Sequence, residues 1–449
     1  MGRLFGTDGV RGIANSELTC ELAMQIGRAA AMVLSEDCRR RLKVLIGADT
    51  RISSEMLQSA ISAGFCSVGA DVLVLGVLPT PAVAFLVKKY GYDAGVMISA
   101  SHNPCEYNGI KIFKSDGYKL PDALEERIEE IILDGTIIPE IKIGADVGRI
   151  RFADMAKFDY IEHLLSTVNA DFSGMKIALD CANGSASFTA PELFTQLGAD
   201  FEVLSAVPNG ININRNCGST HIETLQKFVK ENKCDAGFAF DGDADRLIAV
   251  DEKGNIVDGD KIVAICAAAR KAENKLSKNT AVVTVMSNMG FHKFCSSCEI
   301  DVKVTTVGDR YVLETMLEGG YSLGGEQSGH VIFLDYATTG DGQLTAIQLL
   351  EILKNSGKTF SELASEIEIY PQVTVNVRVS NIGKVRCSAD EEIKKAISSA
   401  ENELGSNGRV LVRVSGTEPL VRIMVEGKDE SQIKTLADEI ATVVKERLI

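Results

Sequence analysis

The chain has 449 residues, of which 45% are hydrophobic and 24% are charged. This composition is typical of globular proteins, and the length predicts three or four domains. The formal net charge of −15, without a basic tract, argues against a nucleic-acid partner. No apolar run is long enough to span a bilayer, and the N-terminal segment lacks the hydrophobic region of a secretory signal, so we expect no membrane partner. The 11 scattered cysteines favour reduced thiols and a cytoplasmic location.

Three stretches of the chain share one pattern, at residues 43–76, 176–205 and 281–308. Each begins with a run of β-branched and apolar residues, passes through a short polar turn into a helical stretch, and returns to a second apolar strand. This succession is the pattern of a βαβ unit. Its repetition predicts three related α/β domains with mixed sheets.

The C-terminal part follows a different pattern. The segment YPQVTVNVRVS alternates polar and apolar residues, as a half-buried strand does, and a helix capped by Ser388 or Asp390 is expected to follow it. Two further strands, GRVLVRVS and LVRIMVEG, precede a last helix. The pattern predicts a small α+β domain. The four predicted domains comprise residues 1–147, 148–251, 252–368 and 369–449.

The clearest metal signal is the motif DGDADR at residues 241–246, between the apolar runs AGFAF and LIAV. Carboxylates at alternate positions in a turn between strands can converge on one hard cation, and Gly242 would permit a tight turn. A calcium-binding EF-hand is unlike this segment, because Arg246 stands where that loop needs glycine and strands flank the motif, although Glu252 occupies the twelfth position. The remaining alternative is a solvated acidic turn. The candidate ligands are Asp241, Asp243 and Asp245.

A second motif, ISASHNP at residues 98–104, follows the apolar run AGVM. Its small residues would expose the hydroxyl of Ser101 beside the imidazole of His102. Serine is a poor nucleophile without a base or a metal-bound phosphate partner, and no GxSxG elbow supports a serine hydrolase. By itself the motif also fits a turn with a helix cap. Together with three metal-binding aspartates, it predicts a phosphoryl carrier.

Three further segments carry polar or basic groups. In GEQSGH, before the run VIFL, the residues Glu326, Ser328 and His330 alternate, so we expect them to face one side of an extended segment and to suit sugar hydroxyls. The loop RVSGTEP at residues 413–419 combines arginine, hydroxyls and a glycine backbone, which suits an anion. Each segment also fits an ordinary polar turn. The N-terminal FGTDGVRG is a glycine-rich loop with basic residues, and Lys111 also fits a surface lysine.

Together, FGTDGVRG, GADTR, ISASHNP, DGDADR, GEQSGH and RVSGTEPLVRIMVEG resemble the α-D-phosphohexomutase superfamily, in the order of that family and over nearly the whole chain. The resemblance implies four domains around a deep central cleft, each contributing one loop. Two departures from the family pattern, Ala48 and the pair Ile98-Ser99, involve no proposed reacting group.

The resemblance also implies a role for individual residues. Ser101 is the implied phosphorylated residue, and it would bind one Mg²⁺ per chain together with Asp241, Asp243 and Asp245. From its position in DGDADR, and not from the resemblance, Arg246 is expected either to neutralise part of the carboxylate charge or to contact a phosphate. The groups implied around the reacting oxygens are His102, Lys111 and Arg11, of which His102 and Lys111 are the candidates for proton transfer. The implied sugar-binding residues are Glu326, Ser328 and His330, and those for the non-reacting phosphate are Arg413, Ser415, Gly416, Thr417 and Arg422.

The substrate prediction rests on Gln327 and on VGDRYV at residues 307–312, both of which resemble the glucosamine branch of the family. This branch implies interconversion of glucosamine 6-phosphate and glucosamine 1-phosphate through a 1,6-bisphosphate, supplying UDP-N-acetylglucosamine and cell-wall precursor synthesis. Glucosamine or glucose 1,6-bisphosphate would be the activator, and a homodimer is compatible with the resemblance. The alternatives are a phosphomannomutase/phosphoglucomutase, a calcium-binding protein, and a silent homologue. A silent homologue would be expected to lose Ser101 or one of the aspartates.

Overall fold

The computed structural model describes residues 2–6, 8–36, 40–415 and 419–449. The chain forms two compact units, one comprising residues 1–286 and 298–366 and the other residues 287–297 and 367–449. The first unit contains three mixed sheets and the second contains one antiparallel sheet. Among the described residues, no helix is both long and apolar enough to cross a membrane.

The first sheet has six strands in the order β1-β5-β4-β2-β3-β6. Strands β4, β2, β3 and β6 are parallel, whereas β1 and β5 are antiparallel to their neighbours. The helices α1 and α2 pack closely because Gly27 and Gly64 lie where a Cβ atom would come within 2.5 Å of a backbone oxygen of the other helix. The elements are β1 (Val10–Ile13), α1 (Cys20–Ser35), β2 (Lys43–Ala48), α2 (Ile52–Ser67), β3 (Asp71–Val77), α3 (Thr80–Lys89), β4 (Ala94–Ile98), β5 (Tyr107–Lys114), α4 (Asp122–Leu133) and β6 (Ile150–Phe152).

The second sheet has five strands in the order β11-β10-β9-β7-β8, with β8, β7 and β9 parallel and the other two antiparallel. Its central strand β9 is buried along its whole length, as an uninterrupted apolar run predicts. The elements are α5 (Ala156–Leu165), β7 (Lys176–Asp180), α6 (Ala190–Gln196), β8 (Asp200–Leu204), α7 (Glu223–Asn232), β9 (Ala236–Phe240), β10 (Leu247–Asp251) and β11 (Ile256–Val257).

The third sheet has four strands in the order β13-β12-β14-β15, with only β15 antiparallel. The elements of this part of the chain are α8 (Gly259–Ala272), β12 (Thr280–Thr284), α9 (Met289–Ser297), β13 (Asp301–Thr305), α10 (Asp309–Gly319), β14 (Leu323–Gly325), β15 (Val331–Phe333), α11 (Gly342–Ser356) and α12 (Phe360–Ser365). Helix α9 belongs to the second unit.

The second unit contains an antiparallel sheet in the order β16-β18-β17. The side chain of Asp390 accepts hydrogen bonds from the amides of Glu392 and Ile393, which confirms one of the two predicted helix caps. An additional helix, α13, was missed because its short sequence lacks an apolar period; Gly383 packs it against the backbone of Leu448. The elements are β16 (Gln372–Arg378), α13 (Asn381–Cys387), α14 (Glu391–Leu404), β17 (Gly408–Val414), β18 (Leu420–Gly427) and α15 (Glu430–Leu448).

The topology of the first unit places three of the singled-out loops at equivalent positions. The segments 99–104, 241–246 and 326–330 follow β4, β9 and β14, each of which is parallel to a neighbouring strand. In α/β sheets, ligands bind outside the carboxyl ends of such strands. The loops are therefore placed where a site is expected.

Candidate active site

Ser101 lies immediately beyond the buried strand β4 and has a left-handed backbone, with φ of 52°. Its amide donates a hydrogen bond to Ser99 Oγ over 2.9 Å. The residue is only 1% exposed, and its Oγ donates a 2.5 Å hydrogen bond to Asp241 Oδ2. The structure therefore brings together the serine and the aspartate motif, which are 140 residues apart in the sequence.

The three aspartates of residues 241–246 are all buried, and their candidate ligand oxygens lie within 4.8 Å of one another. Burial raises the pKa of Asp241, as do the negative charges of Asp245 and Asp243. Among the described residues, Asp243 Oδ1 and Asp245 Oδ1 have no hydrogen-bond partner although both are buried. Such oxygens are costly unless a cation satisfies them, and hard oxygen ligands suit magnesium or calcium. The residues thus fit a divalent metal site.

Contrary to expectation, Gly242 is not required for the conformation of the turn. The left-handed residue of this turn is Ala244, with φ of 56°, and not the glycine. A Cβ atom on Gly242 would instead lie 2.6 Å from the carbonyl oxygen of Ser101. Glycine is therefore required because residues 99–104, the serine loop, closely approach residues 241–246, the metal loop.

Lys111 is a buried charge and not a surface lysine, since it is only 1% exposed. Its Nζ lies 3.0 Å from Asp243 Oδ2, 3.0 Å from Asp8 Oδ2 and 3.5 Å from Asp245 Oδ2. Burial alone would lower the pKa of Lys111, but these carboxylates raise it well above its ordinary value. The ammonium group therefore offsets the charge of the aspartates.

His102 and two arginines also contribute charge and polar groups near the serine. His102 Nδ1 is 3.5 Å from Ser101 Oγ, and burial, with the positive charges of Arg246 and Arg11, lowers the pKa of this imidazole to about 4. The amide of Arg246 donates to Asp241 Oδ1, and the guanidinium of Arg11 pairs with Asp8. Among the described residues, the Nε atoms of both arginines are buried and lack a hydrogen-bond partner. Buried donors without partners next to a hydroxyl suit an anionic group.

The segment from Glu326 to His330 is a tight turn, so the expectation of an extended segment is wrong. The amide of Glu326 donates to the carbonyl of His330, and Gly329 has φ of 92°. Ser328 is exposed at the tip, whereas Glu326 Oε1 accepts from the amide of Gly308 over 3.0 Å. The turn forms because β14 and β15 pair as a hairpin.

His330 is only 2% exposed. The amide of Gly340 donates to its Nε2 over 3.0 Å, which places the imidazole proton on Nδ1. This Nδ1 lies 3.7 Å from Asp245 Oδ2. The structure therefore connects the turn after β14 to the metal loop through this histidine.

Sequence reasoning missed three charged residues of the same site. Asp8 forms ion pairs with Lys111, Lys119 and Arg11. Burial by itself would raise the pKa of this carboxyl, but the three cations hold the pKa well below its usual range. Lys119 Nζ also lies 2.6 Å from Asp309 Oδ2. The signals were present, because Asp8 lies in FGTDGVRG and Asp309 in VGDRYV, but neither pattern shows which charges meet.

The predicted anion loop lies in the second unit, between β17 and β18. Arg413 and Arg422 stand directly opposite each other in the antiparallel pair, and the amide of Ser415 donates to the carbonyl of Leu420. Burial and the positive charge of Arg422 lower the pKa of Arg413. Like charges at directly opposite positions destabilise a sheet, which an anion between them would offset. The predicted residues Gly416 and Thr417 lie outside the described residues.

Comparison with known proteins agrees with this arrangement. Four parts of the chain match the phosphoglucomutase/phosphomannomutase family: residues 2–137 match its alpha/beta/alpha domain I, residues 158–254 domain II, residues 258–370 domain III and residues 375–443 its C-terminal domain. Curated relatives include phosphoglucosamine mutases of Caldicellulosiruptor saccharolyticus, 56% identical, and Acetivibrio thermocellus, 55% identical, each match covering 100% of both chains.

Solved structures show the same fold. A phosphoglucomutase/phosphomannomutase family protein from Burkholderia thailandensis has a TM-score of 0.83 at 24% identity, covering 100% of this chain and 99% of that one. N-acetylphosphoglucosamine mutase from Aspergillus fumigatus, in complex with GlcNAc-6P and magnesium, has a TM-score of 0.71 at 18% identity, covering 100% and 96%. The predicted fold class and the resemblance are confirmed. The chain belongs to the phosphoglucomutase/phosphomannomutase family.

Proposed function

We propose that the chain interconverts glucosamine 6-phosphate and glucosamine 1-phosphate, with Ser101 as the phosphoryl carrier. One observation carries the proposal: Ser101 Oγ lies 2.5 Å from Asp241 Oδ2, within a buried group of three aspartates, two oxygens of which lack a hydrogen-bond partner among the described residues. The choice of sugar is supported by curated phosphoglucosamine mutases that are 54–56% identical over the whole chain.

The aspartates Asp241, Asp243 and Asp245, together with a phosphate on Ser101, would hold Mg²⁺. When bound, this ion supplies positive charge that stabilises a phosphoryl group in transfer. The protein contributes a fixed geometry for it. Thr80 Oγ1 donates to Asp243 Oδ2 over 2.5 Å and Lys111 Nζ contacts the same oxygen, so Oδ1 is left for a cation.

The reaction comprises two transfers. In the first, the bond between phosphorus and Ser101 Oγ breaks, a bond from phosphorus to the free sugar oxygen forms, and the proton of that hydroxyl ends on Ser101 Oγ. In the second, after the 1,6-bisphosphate has turned round, the bond between its other phosphorus and the sugar oxygen breaks, a bond to Ser101 Oγ forms, and the serine proton ends on the sugar oxygen. Such transfers depend on positioning and charge stabilisation more than on covalent chemistry by the protein.

His102 and Lys111 are the two candidates for proton transfer, and their surroundings give them different roles. The imidazole of His102 is neutral and lies 3.5 Å from Ser101 Oγ, so it offers an acceptor at the reacting oxygen. Lys111 is held protonated by three carboxylates, and we assign it to charge neutralisation. The Nε atoms of Arg11 and Arg246, which lack a hydrogen-bond partner among the described residues, would donate to oxygens of the transferring phosphoryl group.

The remaining substrate contacts are assigned to two loops. Glu326 and Ser328 would bind sugar hydroxyls. His330, which was also expected to do so, is buried with both ring nitrogens facing protein groups, so we assign it to holding this turn against Asp245. The opposed guanidinium groups of Arg413 and Arg422 support binding of the non-reacting phosphate in the loop after β17. This loop must accept either phosphate of the intermediate, which favours backbone and arginine donors over a narrow pocket. Its other assigned members are Ser415, Gly416 and Thr417.

Phosphorus NMR tests the proposal. The purified protein is supplied with magnesium, a trace of glucose 1,6-bisphosphate, and the 6-phosphate of glucosamine, glucose or mannose in turn. We expect glucosamine 6-phosphate to be converted to the 1-phosphate fastest. Faster conversion of the glucose or mannose phosphate would retain the mechanism and identify a phosphomannomutase/phosphoglucomutase instead, whereas absence of conversion would refute the function.

A further inference from the structure

The segment Asp49–Arg51, which follows β2, lies beneath the serine loop and has no role in the function proposed above. Arg51 precedes helix α2 and is only 2% exposed. Its Nε donates to Asp49 Oδ2 over 2.8 Å, and that carboxylate also accepts from the hydroxyls of Ser99 and Ser54. The arginine is therefore fixed in a buried polar network that is continuous with the serine loop.

All five N–H donors of the Arg51 guanidinium are used, and four of them bind backbone carbonyls between Ser101 and the start of β5. One terminal nitrogen donates to the carbonyl of Ser101 over 2.9 Å and to that of Asn103 over 2.7 Å. The other donates to the carbonyl of Pro104 and, over 3.0 Å, to that of Tyr107. A planar, always charged fork with five donors can hold four carbonyls at once, whereas the three donors of a lysine ammonium group cannot.

The segment between β8 and α7 binds two of the same carbonyls. Asn214 Nδ2 donates to the carbonyl of Ser101 over 2.9 Å and to that of Asn103 over 3.0 Å. Thr50 Oγ1 donates to the carbonyl of Asn183 over 2.6 Å, so the segment that carries Arg51 is tied to the domain that carries the aspartates. The backbone of Ser101 is therefore held by Arg51 from its own domain and by Asn214 from the domain that carries the aspartates.

These contacts matter because the Ser101 carbonyl has little room to move. It lies against Gly242, where even a Cβ atom would be 2.6 Å away, and the residue is already in the left-handed region. Displacing the reacting atoms by about 1 Å can lower a rate about 100-fold. A carrier that serves two successive transfers needs the same position in both, including the interval in which it is not phosphorylated.

We propose that Arg51 is a positioning residue for phosphoryl transfer, which fixes the backbone of the serine loop so that Ser101 Oγ stays aligned with the aspartates while the bisphosphate turns round. The inference rests on the proposed function. Arg51 touches neither substrate nor metal in this assignment. Its effect is exerted through the carbonyls of Ser101 and Asn103, and it should appear in turnover and in retention of the intermediate.

The test compares Arg51→Lys and Asn214→Gly with the wild-type protein and with Ile26→Ala. The lysine variant keeps the charge but loses the fork, and the glycine variant removes the amide while tolerating the φ of 57° at that position. Ile26 lies on α1 and is buried in the hydrophobic core of the same domain, so its truncation controls for lost stability. Mutase kinetics, thermal unfolding and released sugar bisphosphate per turnover are measured for each protein.

For Arg51→Lys we expect kcat to fall about 100-fold, KM to stay unchanged and the amount of released bisphosphate to rise. Asn214→Gly should show the same changes in kcat and in bisphosphate release, but smaller ones. Ile26→Ala should lower the melting temperature while the folded protein keeps the wild-type kcat and bisphosphate retention. Wild-type kcat and retention in both loop variants would overturn the inference while leaving the mutase function intact. If Arg51→Lys does not fold, Asn214→Gly decides alone. Absence of turnover in the wild-type protein would refute the function and the inference together.

Discussion

Lys111 and Asp243 form a buried ion pair of 3.0 Å, and the same ammonium group lies 3.0 Å from Asp8. Removing one partner of a buried pair leaves an uncompensated charge, which typically costs about 3–5 kcal/mol. We therefore expect Lys111→Ala to lower the free energy of unfolding by about this amount. Chemical denaturation without metal measures the loss, and added magnesium should reduce it, because the cation would compensate the same carboxylates.

Lys114→Ala is the matched control for this experiment. Lys114 lies on the same strand, but its side chain is 39% exposed and its partner is the exposed Asp116. Its removal should change the free energy of unfolding by no more than about 0.5 kcal/mol. Equal losses in the two variants would contradict the assignment of Lys111 as the charge that balances the aspartates.

The Ser101→Ala variant should abolish mutase turnover while leaving the fold intact. The change removes the carrier oxygen and one hydrogen bond to Asp241, but no buried apolar contact of the core. Turnover is measured by phosphorus NMR and the fold by circular dichroism. Phosphoryl exchange at a rate close to that of the wild-type protein would refute the carrier assignment.

The Asp243→Asn variant should bind magnesium more weakly. One oxygen of Asp243 binds Thr80 and Lys111, while Oδ1 is buried and without a partner among the described residues, so a neutral amide would remove a ligand charge from the site. Isothermal titration with magnesium measures the affinity, and Asp200→Asn, an exposed carboxylate of the same sheet, controls for net charge. Indistinguishable titrations would argue against the metal site.

The Arg422→Ala variant should bind phosphosugar more weakly. A hydrogen bond to a charged group contributes about 1.5–3 kcal/mol, which corresponds to a rise in KM of about 10- to 100-fold. Arg378→Ala, on the exposed end of β16, serves as the control. An unchanged KM would contradict a role in phosphate binding.

Asp341 provides a prediction about pH. Burial raises the pKa of this carboxyl from 3.8 to about 6, although the amide of Leu344 and the hydroxyl of Tyr160 donate to it. The folded protein therefore binds more protons than the unfolded chain between these two values. This contribution to stability is complete below about pH 4 and is lost as the pH rises through 6.

Replacement of Asp341 by asparagine retains a helix cap and removes this titration. The free energy of unfolding of the variant, relative to the wild-type protein, should therefore rise by about 2–3 kcal/mol between pH 4 and pH 7. Denaturation at both pH values measures it, with Asp429→Asn as the control for removing an exposed capping charge. A difference that is independent of pH would show that burial does not perturb this carboxyl.

The elements and the position of the reacting groups were largely predictable. Apolar runs predicted β4, β9 and β15, and the motifs after β4 and β9 predicted the serine and its aspartates. These features depend on local periodicity and on short turns. The missed helix α13 and the wrong extended conformation of residues 326–330 show the limit of that information, because packing on Leu448 and pairing of β14 with β15 override a weak local preference.

By itself, the sequence determined which chemistry the chain carries, because a hydroxyl, three alternating carboxylates and two basic loops occur in fixed local patterns. Only the tertiary structure decided how these charges are balanced. Lys111 reaches Asp8 and Asp243, Lys119 reaches Asp309 across 190 residues, and Arg51 holds the serine loop from about 50 residues away. Such pairings are set by the strand order within a sheet and by how separate sheets pack, and in a buried site the cost of an unpaired charge makes them specific.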